Sequence, residues 1–183
     1  MKTYTAFAMA LLAGVTFLKA QEIPQLPPPA KEHAWLQKFV GKWDVETEII
    51  MEPGKPPMKC KGTETVRNIG GFWILSQGES EMLGTKFEHV LALGYDPTAK
   101  KYIGTWFDSM NAYLWKYEGT VDETGKVLTL DTEGPCPTEP GKISKFKEST
   151  EFKSPDHRVF TSKILGDDGK WTTFVTVNSR RAK

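Results

Sequence analysis

Phe39-Val40-Gly41-Lys42-Trp43 is the stretch at which the chain changes period. Upstream, Trp35, Leu36, Phe39 and Val40 recur at helical spacing, so a short helix has one apolar side. Gly41 supplies the backbone freedom that commonly stops such a helix. From Trp43 the period becomes two: Trp43, Val45, Thr47, Ile49 and Met51 alternate with Asp44, Glu46 and Glu48. That is the pattern of a strand with one face buried.

The remainder is a succession of strands and turns. Segments 62–69, 72–82, 86–95, 101–109, 112–121, 126–131, 143–152, 158–165 and 170–178 are separated by punctuation such as Gly70-Gly71, Asp96-Pro97, Asp122-Glu123-Thr124-Gly125 and Gly166-Asp167-Asp168-Gly169. With the strand after Gly41 this makes about ten strands and no helical period between them. Such spacing specifies an all-β protein built of consecutive antiparallel hairpins. The expected architecture is an up-and-down β-barrel of about ten strands with a short N-terminal helix, occupying residues 31–183 as one domain.

Residues 1–20 read as an export signal: Lys2 starts it, 6–18 is an uncharged apolar run, and Ala20 gives a small residue before Gln21. The run is short for a membrane span, which takes about 20 residues. Residues 21–30, with Pro24, Pro27, Pro28 and Pro29, form an extended lead-in. The chain has 24 basic and 23 acidic residues; losing Lys2 and Lys19 with the signal leaves 22 basic residues and a net charge of −1. This balance speaks against nucleic acid or an anionic membrane as partner. The expected location is the periplasm or the extracellular space.

Cys60 and Cys136 are the two cysteines. Outside the cytoplasm they could form a disulfide; otherwise they are free thiols in turns rich in proline.

Candidate binding residues cluster in the middle strands. Tyr102 and Trp106 share a face, as do Tyr113, Trp115 and Tyr117, and Asp108 shares the face of Trp106. His89 alternates with Phe87 and Leu91, and Arg67 lies in phase with Thr63 and Thr65. If these faces point inward, the barrel has an aromatic wall carrying a few polar groups, as small-molecule sites do. Parity alone leaves a hollow barrel and a solidly filled one open. His33, His89 and His157 stand in no metal-ligand spacing, and no nucleophile elbow or phosphate loop occurs. No cofactor is called for.

Gly41 and Trp43, with one residue between them at the start of the first strand, are similar to the signature of the lipocalin and fatty-acid-binding barrels. In those folds the Trp plugs one end, and a late Arg (here Arg180 or Arg181) stacks on it. The whole mature domain resembles the bacterial family known as domain of unknown function 1579. The resemblance is carried by His33-Ala34-Trp35-Leu36, Val40-Gly41-Lys42-Trp43, Gly62-Thr63-Glu64-Thr65-Val66-Arg67, Gly70-Gly71-Phe72-Trp73, Leu93-Gly94-Tyr95-Asp96-Pro97, Gly104-Thr105-Trp106-Phe107-Asp108-Ser109-Met110, Leu114-Trp115-Lys116-Tyr117-Glu118-Gly119, Glu133-Gly134-Pro135, Pro155-Asp156-His157-Arg158 and Gly166-Asp167-Asp168-Gly169-Lys170-Trp171. It implies a calycin-like, lipocalin-like barrel and no particular reaction. Tyr113 stands where many relatives carry a His before the Leu-Trp pair.

Three functions follow in order. The first is a barrel binding a small apolar or amphipathic molecule near Arg67, His89, Trp106, Asp108, Tyr113, Trp115 and Tyr117; it requires a cavity of at least about 300 Å³. The alternative is a filled structural or interaction module, a homodimer through the apolar segments 72–75 and 90–93. An enzyme using Asp108, Glu118 or His89 as acid or base comes last.

Overall fold

The period change at Gly41 is where helix gives way to barrel. A computed structural model describes residues 28–52 and 54–183; the expected signal segment 1–20 and most of the lead-in 21–30 lie outside the described residues. The helix α1 spans Lys31–Leu36 and tightens into a 3-10 turn over Gln37–Phe39. Its first turn is closed by His33, whose Nδ1 accepts from the Ala30 amide at 2.9 Å while Nε2 lies 3.0 Å from the Tyr95 carbonyl oxygen. A proton on Nε2 satisfies both contacts.

Ten strands follow: β1 Gly41–Ile49, β2 Met58–Ile69, β3 Trp73–Met82, β4 Thr85–Asp96, β5 Lys101–Asp108, β6 Trp115–Val121, β7 Val127–Pro135, β8 Ile143–Ser154, β9 His157–Leu165 and β10 Trp171–Arg181. Each is antiparallel to the next, and β10 pairs with β1, so the sheet is a closed barrel without edges. The expected architecture and strand count are those observed.

Strand ends differ from the sequence pattern for local reasons. β2 begins at Met58, directly after Pro56-Pro57, so Cys60 pairs with Thr47 inside the sheet rather than sitting in a turn. β6 begins only at Trp115, because Asp108 Oδ1 accepts from the Met110 and Asn111 amides and holds that segment as a loop. β7 runs through Gly134 to Pro135, since Thr132 and Gly134 continue its inward face.

The two ends of the barrel differ. At one end α1 lies over the opening, and Leu36, Phe39, Trp43, Val66, Ile74, Leu93, Tyr102, Leu128 and Phe152 form the main core. Trp43 and Leu36 are fully buried, and each large apolar side chain of this kind contributes about 1.5–3 kcal/mol. Trp43 Nε1 donates to the Phe39 carbonyl at 2.7 Å. Its ring lies between two guanidinium groups, Arg181 at 4.0 Å and Arg158 at 4.7 Å from the centroid. The late-strand arginine on the signature Trp is therefore Arg181; Arg180 is exposed. Gly41 has φ +134°, and a Cβ there would lie 2.3 Å from Arg181 Nη1, so the glycine also makes room for this stack.

At the opposite end the five hairpin loops joining β1–β2, β3–β4, β5–β6, β7–β8 and β9–β10 surround an open mouth. Cross-strand ion pairs such as Lys61–Glu46 at 3.0 Å and Lys59–Glu48 at 2.7 Å cover the outer wall. Cys60 and Cys136 are free. They stand on β2 and just after β7, five strands apart either way round the ring, so the disulfide contemplated from the sequence would have to cross the lumen.

Candidate functional site

Inward-facing residues alternate along every strand, and toward the mouth they become too small or too sparse to fill the lumen. A cavity of about 330 Å³ results. Phe39, Leu93 and Leu128 are its floor; Val45, Ile49, Leu91, Trp106, Trp115, Phe146, Phe160 and Val177 form much of the wall. The hollow barrel, not the filled one, is what the side-chain volumes produce.

His89, on β4, faces the lumen, and its ring lies parallel to Trp106 at 4.1 Å with 18° between planes. Gly78, directly across on β3, leaves room for this ring: a Cβ there would come within 2.3 Å of His89 Cε1. Burial pulls the imidazole below its ordinary value, only partly opposed by Glu64 and Asp108. Its Nδ1 has no partner among the described residues. Trp115 likewise lies over Gly134 and meets Phe146 edge-on at 5.2 Å. Stacking aromatic rings over strand glycines builds a flat aromatic wall without widening the barrel.

Other candidates lie elsewhere than expected. Tyr113 is outside the strand and does not line the cavity; it packs edge-on against Trp115 at 5.2 Å and donates to the Glu133 carbonyl at 3.1 Å. Arg67 is exposed on the outer face with Thr63 and Thr65. The reason is phase: in β2 the inward set is Cys60, Gly62, Glu64 and Val66, and Arg67 belongs to the other. Asp108 is at the mouth, where it accepts from Trp106 Nε1 at 3.2 Å as well as from its loop. Glu118, the other candidate acid, points outward to Lys101 at 2.5 Å. His157 opens β9 and lies 3.3 Å from Asn178 Oδ1.

Sequence reasoning gave no role to the polar groups that matter most in the lumen. Arg158, only 6% exposed, forms an ion pair with Glu64 and lies 4.9 Å over Phe39. Glu64 also accepts from Ser76 Oγ at 2.5 Å. Burial draws the guanidinium pKa down against the pull of Glu64, and Arg158 Nε has no partner among the described residues. Glu148, on β8 between Phe146 and Thr150, accepts from Ser162 Oγ at 3.2 Å. Burial pushes its carboxyl up to about 7, against hydrogen bonds from Tyr117 and Ser162. Tyr117 is held well above its usual value by burial and by Glu148 beside it. The available signal was a charged residue in phase with an apolar face: Glu64 with Val66, Glu148 with Phe146 and Phe152, Arg158 with Phe160.

A closed meander, capped by a helix at one end and hollow toward the other, with a Trp–Arg stack under the cap, defines a lipocalin-like barrel. The chain belongs to the family described as Protein of unknown function (DUF1579), which it matches over residues 28–181. It is similar in structure to Rv2717c from M. tuberculosis, with a TM-score of 0.63 at 12% identity, covering 85% of this chain and 100% of that one. It is also similar to the S-type phycobiliprotein lyase CPES from Guillardia theta, with a TM-score of 0.53 at 17% identity, covering 82% of this chain and 92% of that one. No curated protein matches in sequence.

Proposed function

We propose that this protein is an exported barrel that binds a small apolar or amphipathic molecule in its lumen. The observation that carries the reading is the cavity of about 330 Å³, apolar in most of its wall and provided with a few convergent polar groups. That size and lining are those of a small-ligand pocket. Export is supported by the character of residues 1–20.

The test is the native mass of the protein purified from a host that exports it, before and after denaturation. Retained mass that is lost on denaturing, or quenching of tryptophan emission by an added apolar probe, is the expected result. A bare mass together with no response to apolar probes overturns the reading. Val177→Trp, which places an indole in the lumen, should abolish binding while the far-ultraviolet dichroism stays that of a barrel.

A second reading, self-association, rests on a different surface. On the outer face of β3–β5, Trp73 is 39% and Phe107 46% exposed, with Leu75, Ala92 and Val90 between them in register. Sedimentation of the wild type and of Trp73→Ser with Phe107→Ser decides it: a wild-type dimer that becomes monomeric supports it, and a wild-type monomer ends it.

A further inference from the structure

We infer that the lumen selects an apolar, preferably planar molecule carrying a protonated amine, with Glu148 as its counter-group, and disfavours amphiphiles with an anionic head. The inference rests on the small-molecule reading above and adds the chemistry of the ligand's polar end.

A pocket for an anionic head needs a cation free to meet it. Among the described residues that line the cavity, Arg158 is the only Lys or Arg. Its charge is already balanced: Glu64 pairs with it, and the rings of Phe39 and Trp43 lie 4.9 and 4.7 Å from it. A carboxylate entering the lumen would find only the Arg158 Nε–H unpartnered, on a guanidinium whose charge Glu64 already balances.

Acceptors are differently placed. Asp108 is saturated by Trp106 Nε1, by two loop amides and by Asn111 Nδ2. Glu148 has only the Ser162 hydroxyl and Tyr117 beside it. It faces the cavity from a strand whose neighbouring inward residues are buried, and the residue opposite it on β7, Leu130, is apolar. Its partner on β9 is Ser162 and its neighbour on β6 is Tyr117, neither of which brings a positive charge. The remaining charged and titratable groups of the lumen are Glu64, Arg158, His89, Asp108, Cys60 and, at the mouth, Glu79; Glu79 is paired outside with Lys86 at 3.2 Å. A half-buried carboxyl that faces the cavity without a cation is the group a ligand ammonium would satisfy. The preference for a flat body comes from the aromatic lining of the wall, the stacked pair His89 and Trp106 together with Trp115 and Phe146.

The experiment is calorimetric titration of the full chain with three molecules of one shape: 2-naphthylmethylamine, 2-naphthylmethanol and 2-naphthoate. At pH 8 the amine should bind at least about tenfold more tightly than the alcohol or the carboxylate. In Glu148→Gln the preference for amine over alcohol should fall to about parity. Because that substitution could also affect folding, the amine-to-alcohol ratio in the wild type is followed with pH. It should shrink by about tenfold between pH 8 and pH 6, as Glu148 takes up its proton while the amine stays charged.

A carboxylate bound as well as the amine overturns the inference and leaves the binding barrel standing. Full amine preference in Glu148→Gln, or a wild-type ratio unchanged with pH, overturns it too, since another group would then be the counter-ion. Binding of none of the three overturns the inference together with the reading on which it rests.

Discussion

Glu148 makes the stability of the barrel depend on pH in a direction opposite to that of most acids. A carboxyl raised from 4.5 to about 7 holds its proton more tightly in the folded chain than in the unfolded one. Stability is therefore full below about pH 4.5 as far as this group is concerned, declines as pH rises through about 7, and is flat beyond. The decline amounts to on the order of 3 kcal/mol. Urea unfolding at pH 5 and pH 8 should show it, and Glu148→Gln should be the more stable chain at pH 8 with the difference between the two pH values largely gone. The Glu64–Arg158 pair behaves otherwise. Arg158→Met should cost on the order of 3–5 kcal/mol, because it strands a buried carboxylate, and adding Glu64→Gln should recover most of that loss. These residues were hard to read in the sequence for one reason. A charged side chain is normally assigned to the wet face, and Glu64, Glu148 and Arg158 are in phase with Val66, Phe146 and Phe160 instead; Arg67, one position out of phase with Val66, drew attention away from them.

Elements were easier to read than residues. Alternation gave every strand, because each strand has one dry face, while proline pairs and an Asx-stabilised loop moved the ends of β2 and β6. What alternation does not carry is what lies over what. Glycines on the wall are places where a neighbouring group takes the room of a side chain, and the consequences differ by neighbour. A Cβ at Gly119 would lie 1.9 Å from the Thr129 carbonyl oxygen, a backbone atom of the paired strand that cannot step aside. Gly119→Ala should cost more than about 2 kcal/mol in urea unfolding. At Gly78 the obstacle is the His89 ring, which can tilt; Gly78→Ala should be milder and should shift the emission of Trp106 as the stacked pair separates. The helix is the other element with a decisive contact. Leu36 is fully buried, and Trp35 Nε1 and Lys38 Nζ both donate to the Gly125 carbonyl of the β6–β7 turn, at 2.8 and 2.9 Å. Leu36→Ala should cost about 2–5 kcal/mol.

At the scale of the whole molecule, regular turn spacing and consecutive hairpins were enough to specify a closed meander. The hollow interior was not legible, since a filled barrel and a hollow one share the same alternation and differ only in summed side-chain volume. Nor was the distance between Cys60 and Cys136, which depends on position around the ring rather than on position in the chain. With the two on opposite walls, thiol titration of denatured, unreduced protein should find two free thiols per chain.

The pairing of β10 with β1, with Trp43 opposite Arg181, has a consequence in time. Every other pair in the barrel joins neighbours along the chain and can zip as soon as its hairpin is made. This one joins the beginning to the end, so it closes the longest loop of the chain and is its least local pairing. Until β10 has been synthesised, the growing chain is an open sheet with two unsatisfied margins and an indole lacking one of its two arginines. The final strand is thus the latch of the structure: the lumen is not enclosed until β10 is in place between β9 and β1.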